Sequence, residues 1–161
     1  MKAFARKLAA VPLLLSVFSA SSHAIVGGGI VPPSGMPAGE TTMLFKGVLI
    51  QGADKGLTQQ WILEVTNTAK TSVEAHFSSG MSADLRLTGA GGVLSWAWSQ
   101  EMMFTQALRN QMIAAGQTLK FTFDIPKNKL LACRGECELT GVFVGKGKAG
   151  QPLMAEVVQK L

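Results

Sequence analysis

From Thr42 onward the chain is a succession of strand-length runs separated by turn residues: Met43 to Ile50, Gln60 to Asn67, Ser72 to Phe77, Ala83 to Thr88, Val93 to Trp98, Thr118 to Ile125, Glu138 to Val144 and Met154 to Val158. Two of them alternate cleanly. Trp61, Leu63 and Val65 are interleaved with Gln60, Ile62, Glu64 and Thr66, and Leu119, Phe121 and Phe123 with Lys120, Thr122 and Asp124. Period-two alternation puts successive side chains on opposite faces, so each such strand has a dry face and a wet one. Asp54-Lys55-Gly56, Asn67-Thr68-Ala69-Lys70, Ser78-Ser79-Gly80 and Gly89-Ala90-Gly91-Gly92 punctuate the runs at close to regular spacing. That pattern predicts an all-β fold, an antiparallel sandwich or barrel. Met102 to Ile113 stays open between a short helix, from the spacing of Phe104, Ala107, Leu108 and Met112, and an edge strand.

The chain has 161 residues, 47% apolar and 16% charged, which suits one packed domain rather than a disordered segment. Its N-terminus reads as an export signal. Met1 to Lys7 is positive, Leu8 to Phe18 is apolar apart from Pro12 and Ser16, and Ser22-His23-Ala24 offers small residues for cleavage after Ala24. The apolar run is shorter than the about 20 residues a membrane span needs, and no later segment supplies one. The expected organisation is a signal peptide over 1–24, a Gly/Pro-rich arm over 25–41 containing Pro32-Pro33, and a β domain over 42–161, periplasmic or secreted.

Of the formal +5 charge, Lys2, Arg6 and Lys7 belong to the signal, leaving 12 − 10 = +2. The remaining cations are scattered, so nucleic acid is not an expected partner. Both cysteines occur in Cys133-Arg134-Gly135-Glu136-Cys137. An oxidising compartment favours their pairing, and closing so short a loop is worth roughly 2 kcal/mol in the chain-entropy model. A zinc site wants four ligands, and one histidine, His76, remains after processing; neither metal nor cofactor is expected. Ile25-Val26-Gly27-Gly28 matches the start of an activated trypsin-like protease, but no Gly-Asp-Ser-Gly segment follows to pair with His76. With no paired-carboxylate motif and no phosphate loop either, the expected function is non-enzymatic.

Asn67-Thr68, Val73 to Gly80, Ala83-Asp84-Leu85, Trp96 to Ser99, Met103 to Leu108 and Ala115 to Leu119 occur in order with sensible gaps. Together they resemble the BsuPI domain, named for an intracellular proteinase inhibitor of bacilli, over about Met43 to Pro126. The residues that carry the resemblance are Asn67, Phe77, Ser79, Gly80, Asp84, Trp96, Trp98, Phe104, Thr105, Gln106 and Gly116. The resemblance implies an immunoglobulin-like antiparallel β-sandwich and, for function, inhibition of a serine protease. An export signal and a C-terminal extension beyond Pro126, carrying the cysteine loop, depart from the founding type. An exported member would meet an envelope or secreted protease.

Taken alone, Ser78-Ser79-Gly80 and Asp84 read as turn chemistry and backbone hydrogen bonding, and Trp96 and Trp98 as residues on one face of a strand with at least one in the core. Phe104, Thr105 and Gln106 are candidates for a recognition surface as well as for the core. Gly89 to Gly92 and Arg134 are the candidate inhibitory loops, the latter because a braced basic side chain suits the acidic pocket of a trypsin-like protease. The alternative to inhibition is a structural or assembly role in the cell envelope through strand addition.

Overall fold

The computed structural model describes residues 43–133, 135 and 137–161. The expected signal peptide, the Gly/Pro-rich arm and the candidate Arg134 lie outside these residues. Nine strands are formed among them: β1 (Phe45–Asp54), β2 (Thr58–Asn67), β3 (Val73–Phe77), β4 (Ala83–Thr88), β5 (Leu94–Ala97), β6 (Arg109–Ile113), β7 (Thr118–Pro126), β8 (Glu138–Phe143) and β9 (Val157–Lys160). One short helix, α1 (Lys127–Ala132), follows β7. Pairing is antiparallel throughout the named strands, in the orders β1-β2-β7, β3-β6 and β5-β4-β8-β9. The all-β reading holds, and the sheets stack as a sandwich.

Strand β2 shows why. Its odd residues from Gln59 to Asn67 are buried and its even ones half-buried, so Trp61, Leu63 and Val65 line one face of the central strand of its sheet. Opposite them, Leu85 and Leu87 of β4 and Leu139 and Phe143 of β8 face inward. The layers approach closely at Gly141, where an added Cβ would lie 3.0 Å from Leu63 Cδ1 and 3.1 Å from Leu49 Cδ2. Phe143 gathers an aromatic group, 5.6 Å from the Phe45 ring and 5.7 Å from Phe77, edge-on to the latter.

The β3-β6 pair is carried toward the first sheet by short bridges. His76 exchanges backbone hydrogen bonds with Lys146 at 2.9 and 3.0 Å, Lys146 bridges Pro152, and Phe45 N–H donates to Leu153 O at 2.9 Å.

Two regions depart from the sequence reading. Strand β5 ends at Ala97, and Trp98 begins a 3-10 turn over Trp98–Gln100, so Trp96 and Trp98 do not share a strand face. Trp96 is buried, while Trp98 is half-buried against the core. The open segment Met102 to Ile113 resolves into an irregular stretch followed by β6, with no helix. Past Pro126, β8 is a central strand between β4 and β9, so this part of the chain completes the sandwich.

Cys133 and Cys137 form a disulfide with Cα atoms 5.4 Å apart. It fastens the end of α1 to the start of β8, with Cys137 buried and Cys133 and Leu130 packed on the core.

Candidate functional site

The residues most concentrated around one feature are those that hold the segment Ser99 to Arg109. Asp84, 2% exposed on β4, accepts hydrogen bonds at Oδ1 from Leu85 N–H and Ser99 N–H, both 3.0 Å, and at Oδ2 from Ser99 Oγ at 2.9 Å. Arg86 Nε supplies its counter-charge at 3.3 Å. A carboxylate so placed ties Ser99, the first residue of the segment, to β4 through one bond at each oxygen. Two residues on, Glu101 Oε1 accepts the indole N–H of Trp96 at 2.5 Å.

The middle is fixed by packing and by backbone. The Phe104 ring lies 5.6 Å from Trp98, which in turn stands edge-on to Phe123 at 5.2 Å. Gly80 N–H donates to Thr105 O at 2.9 Å, and a Cβ on Gly80 would sit 2.8 Å from Thr105 Oγ1. A residue with a side chain there would have to displace the Thr105 hydroxyl. At the far end Arg109 covers the Phe77 ring, its Cζ 3.9 Å from the centroid, and donates to Ser82 Oγ. The segment Ser99 to Arg109, exposed over most of its residues, thus has attachments along its whole length.

Between the attachments it displays side chains to solvent. Met103 is 99% exposed and Leu108 82%, with Met102, Thr105, Gln106 and Ala107 also exposed. Methionine and leucine presented from a fixed backbone make an apolar contact surface, and methionine adapts readily to a partner's shape. Strand β6 continues it with Met112 exposed and hydrogen-bonds only β3 among the described strands.

The family model of the BsuPI domain, described as an intracellular proteinase inhibitor, matches residues 51–148, more than half of the chain. The chain belongs to the BsuPI family. The match runs beyond Pro126 through the disulfide loop and β8, in keeping with the central place of β8 in the fold. Among curated proteins the chain finds no match.

In this BsuPI domain most of the motif residues fall into two groups. Gly80, Asp84, Trp96, Trp98, Phe104 and Thr105 converge on the loop just described; Gln106 is exposed upon it. Asn67 and Gly116 meet elsewhere. Asn67 is wholly buried, its Nδ2 donating to Thr71 O at 3.1 Å, Ile113 O at 2.9 Å and Ala114 O at 3.1 Å, and its Oδ1 accepting from Ala69 N–H at 2.9 Å. Gly116 N–H donates to Asn67 O at 2.9 Å from a φ of +72°, which favours glycine. Ser79 Oγ accepts from Met81 N–H at 3.2 Å, a turn-closing role, and Phe77 is core.

His76 Nδ1 lies 2.8 Å from Asn110 Oδ1, and its Nε2 lies 3.8 Å from Glu74 Oε2. Its hydrogen-bonding nitrogen is directed at an amide, with no serine or cysteine among its hydrogen-bond partners in the described residues. Ala90–Gly92 forms an exposed 3-10 turn closed by Gly89 N–H to Val93 O at 2.9 Å, with the Ala90 methyl its one side chain. Sequence reasoning missed Ser99, Glu101, Ser82 and Arg109 as supports of the loop. Ser99 and Glu101 directly follow the tryptophan pair, and that adjacency was the available signal; Ser82 and Arg109 had none, because their partners are distant in sequence.

Proposed function

We propose that this BsuPI domain is a non-enzymatic protein-binding module that inhibits a serine protease, and that the exposed segment Met102 to Leu108 is the surface it presents. The family supplies the proteinase-inhibitor character. The observation that carries the choice of surface is the convergence of six motif residues on one loop whose two most exposed side chains, Met103 and Leu108, are not among them. A loop held before binding loses little conformational entropy in the complex, the principal requirement of an inhibitor that is not turned over. A complex of ordinary size would bury about 1,600 Å² in total, more than the loop alone offers, so β6 with Met112 belongs to the same contact.

The partner is an exported protease, because the N-terminal pattern Met1 to Ala24 has the three parts of a cleavable export signal. Placement outside the cytoplasm also accounts for the retention of a disulfide. The experiment is a titration of the secreted protein against a panel of exported serine proteases with peptide substrates, followed by intact-mass measurement of the inhibitor. Stoichiometric loss of activity with an uncleaved inhibitor supports the reading. Ordinary proteolysis of the protein, or no inhibition across the panel, moves the assignment to an envelope assembly role.

A further inference from the structure

Strand β7 is an edge of its sheet: it pairs with β2 and with no other strand among the described residues. It runs from Thr118 to Pro126 in unbroken register, with a proline only at its last position. The opposite edge of the sheet is interrupted, since β1 carries a bulge between Gln51 and Asp54 and its start is tied by Phe45 N–H to Leu153 O at 2.9 Å. A long regular edge is a template for another strand, and soluble proteins ordinarily blunt it.

The bonds at the two ends of β7 show which of its backbone groups face outward. Asn67 N–H donates to Gln117 O at 3.0 Å, and Lys127 N–H donates to Leu57 O at 2.9 Å. Hydrogen-bonded and non-bonded pairs alternate along an antiparallel ladder. With an unbroken register, the odd-numbered residues of β7 therefore bond β2, and the even-numbered ones point their backbone groups away from it. Those groups belong to Thr118, Lys120, Thr122 and Asp124, which are exposed and take part in no other backbone hydrogen bond among the described residues. A groove of about 250 Å³ lies beside Lys120 to Phe123, with Phe104 and Trp98 also on its wall.

The sequence of β7 is complementary to itself about Thr122. Two copies laid antiparallel with Thr122 opposite Thr122 set Lys120 opposite Asp124 and Phe121 opposite Phe123. Within one copy Lys120 Nζ lies 2.7 Å from Glu64 and Lys55 Nζ lies 2.9 Å from Asp124. Across the join the row then reads Glu64, Lys120, Asp124 and Lys55, alternating in sign at every step. A lysine on an edge ordinarily discourages further strands, whereas here Lys120 meets a carboxylate when the incoming strand is β7 itself. We infer that β7 pairs with the β7 of a second copy in the register centred on Thr122, joining the three-stranded sheets of two copies into one. One strand from each copy makes a small contact, so the dimer is weak and forms in the micromolar range. This assignment goes beyond protease inhibition, and its experiment contains no protease.

Sedimentation velocity of the purified secreted protein over a concentration series reads the monomer–dimer equilibrium. The samples are wild type, Lys120→Asp, Asp124→Lys and an equimolar mixture of these two variants. Each reversal sets like charges opposite one another at both ends of its own homodimer and should raise the dimer Kd about tenfold or more. In the mixed dimer every such pair is again of opposite sign, so the mixture should associate within about threefold of wild type. Thr122→Pro removes an outward N–H and no bond to β2, so it should weaken the dimer about tenfold or more at a nearly unchanged Tm. A wild type that stays monomeric up to millimolar concentration would overturn the assignment. So would a dimer that both reversals and Thr122→Pro leave intact, or a mixture that associates no better than either variant alone, each of which would place any contact elsewhere or in another register.

Discussion

Replacing Asn67 by alanine should cost this domain about 3 kcal/mol, although none of its side-chain hydrogen bonds reaches the segment Met102 to Leu108. The side chain is wholly buried and spends both ends of its amide on backbone: Nδ2 on the carbonyls of Thr71, Ile113 and Ala114, Oδ1 on the N–H of Ala69. These ties join the β2-β3 turn to the β6-β7 turn. Alanine deletes them all and leaves the Ile113 carbonyl, the most enclosed of the three acceptors, without that donor. Each net hydrogen bond is worth about 1 kcal/mol, and a buried group left unsatisfied costs about 1–3 kcal/mol. Partial rehydration of the less enclosed carbonyls offsets some of this, so about 3 kcal/mol is the net expectation. For a domain of this size that corresponds to a fall of about 10 °C in Tm. Urea unfolding followed by tryptophan fluorescence measures it. The control is Thr66→Ala on the same strand, whose hydroxyl faces Thr118 Oγ1 at 2.8 Å in the open and whose loss should change stability by less than about 0.5 kcal/mol. If Asn67→Ala proves no more costly than Thr66→Ala, the hydrogen-bond hub is not what joins these turns.

Asp84→Ala removes the acceptors of Ser99 N–H, Ser99 Oγ and Arg86 Nε from a buried site, and should cost about 3 kcal/mol with faster amide exchange at Ser99; unchanged exchange would contradict the anchoring role. Replacing Cys133 and Cys137 together by serine should lower stability by about 2 kcal/mol in denaturant unfolding, and equal stability would remove the staple from the account. The Asp54 carboxyl is held below its ordinary range, chiefly by the hydrogen bond from Lys127 and then by that from Gly56 N–H. Its contribution to stability is therefore present above the ordinary carboxylate range and is lost as the pH falls through the lowered pKa. Carbon-13 titration should show Asp54 returning toward the usual value in Lys127→Met, and an unaltered titration would show that the pair does not lower it.

The strands were legible where one face is dry. In β2 and β7 the alternation reports burial directly, because their sheet has solvent on one side and core on the other. Phe104, Thr105 and Gln106 of the proposed recognition loop were candidates in the sequence, but the shape of the loop was not legible, for a physical reason. Phe104, Ala107, Leu108 and Met112 have helical spacing, yet Leu108 and Met112 are exposed, so the apolar residues there record display rather than a buried stripe. Its shape is set by partners remote in sequence, Gly80 with Thr105 and Asp84 with Ser99, which no local pattern encodes. The six residues of α1 are too few for periodicity to register, and Trp98 escaped its strand because the chain turns at Ala97. The motif residues themselves were identifiable from the resemblance; their convergence on one segment emerged only in three dimensions.

The central claim, that the fixed segment Met102 to Leu108 makes the inhibitory contact, is tested most directly by titrating a susceptible exported serine protease with the wild-type protein, Met103→Asp and Arg134→Ala in parallel. Met103 projects fully into solvent, so its replacement leaves the fold alone. The account predicts that Met103→Asp raises the inhibition constant at least about tenfold at an unchanged Tm, while Arg134→Ala inhibits as wild type does. Undiminished inhibition by Met103→Asp, with loss in Arg134→Ala, would contradict it and place the contact on the disulfide loop.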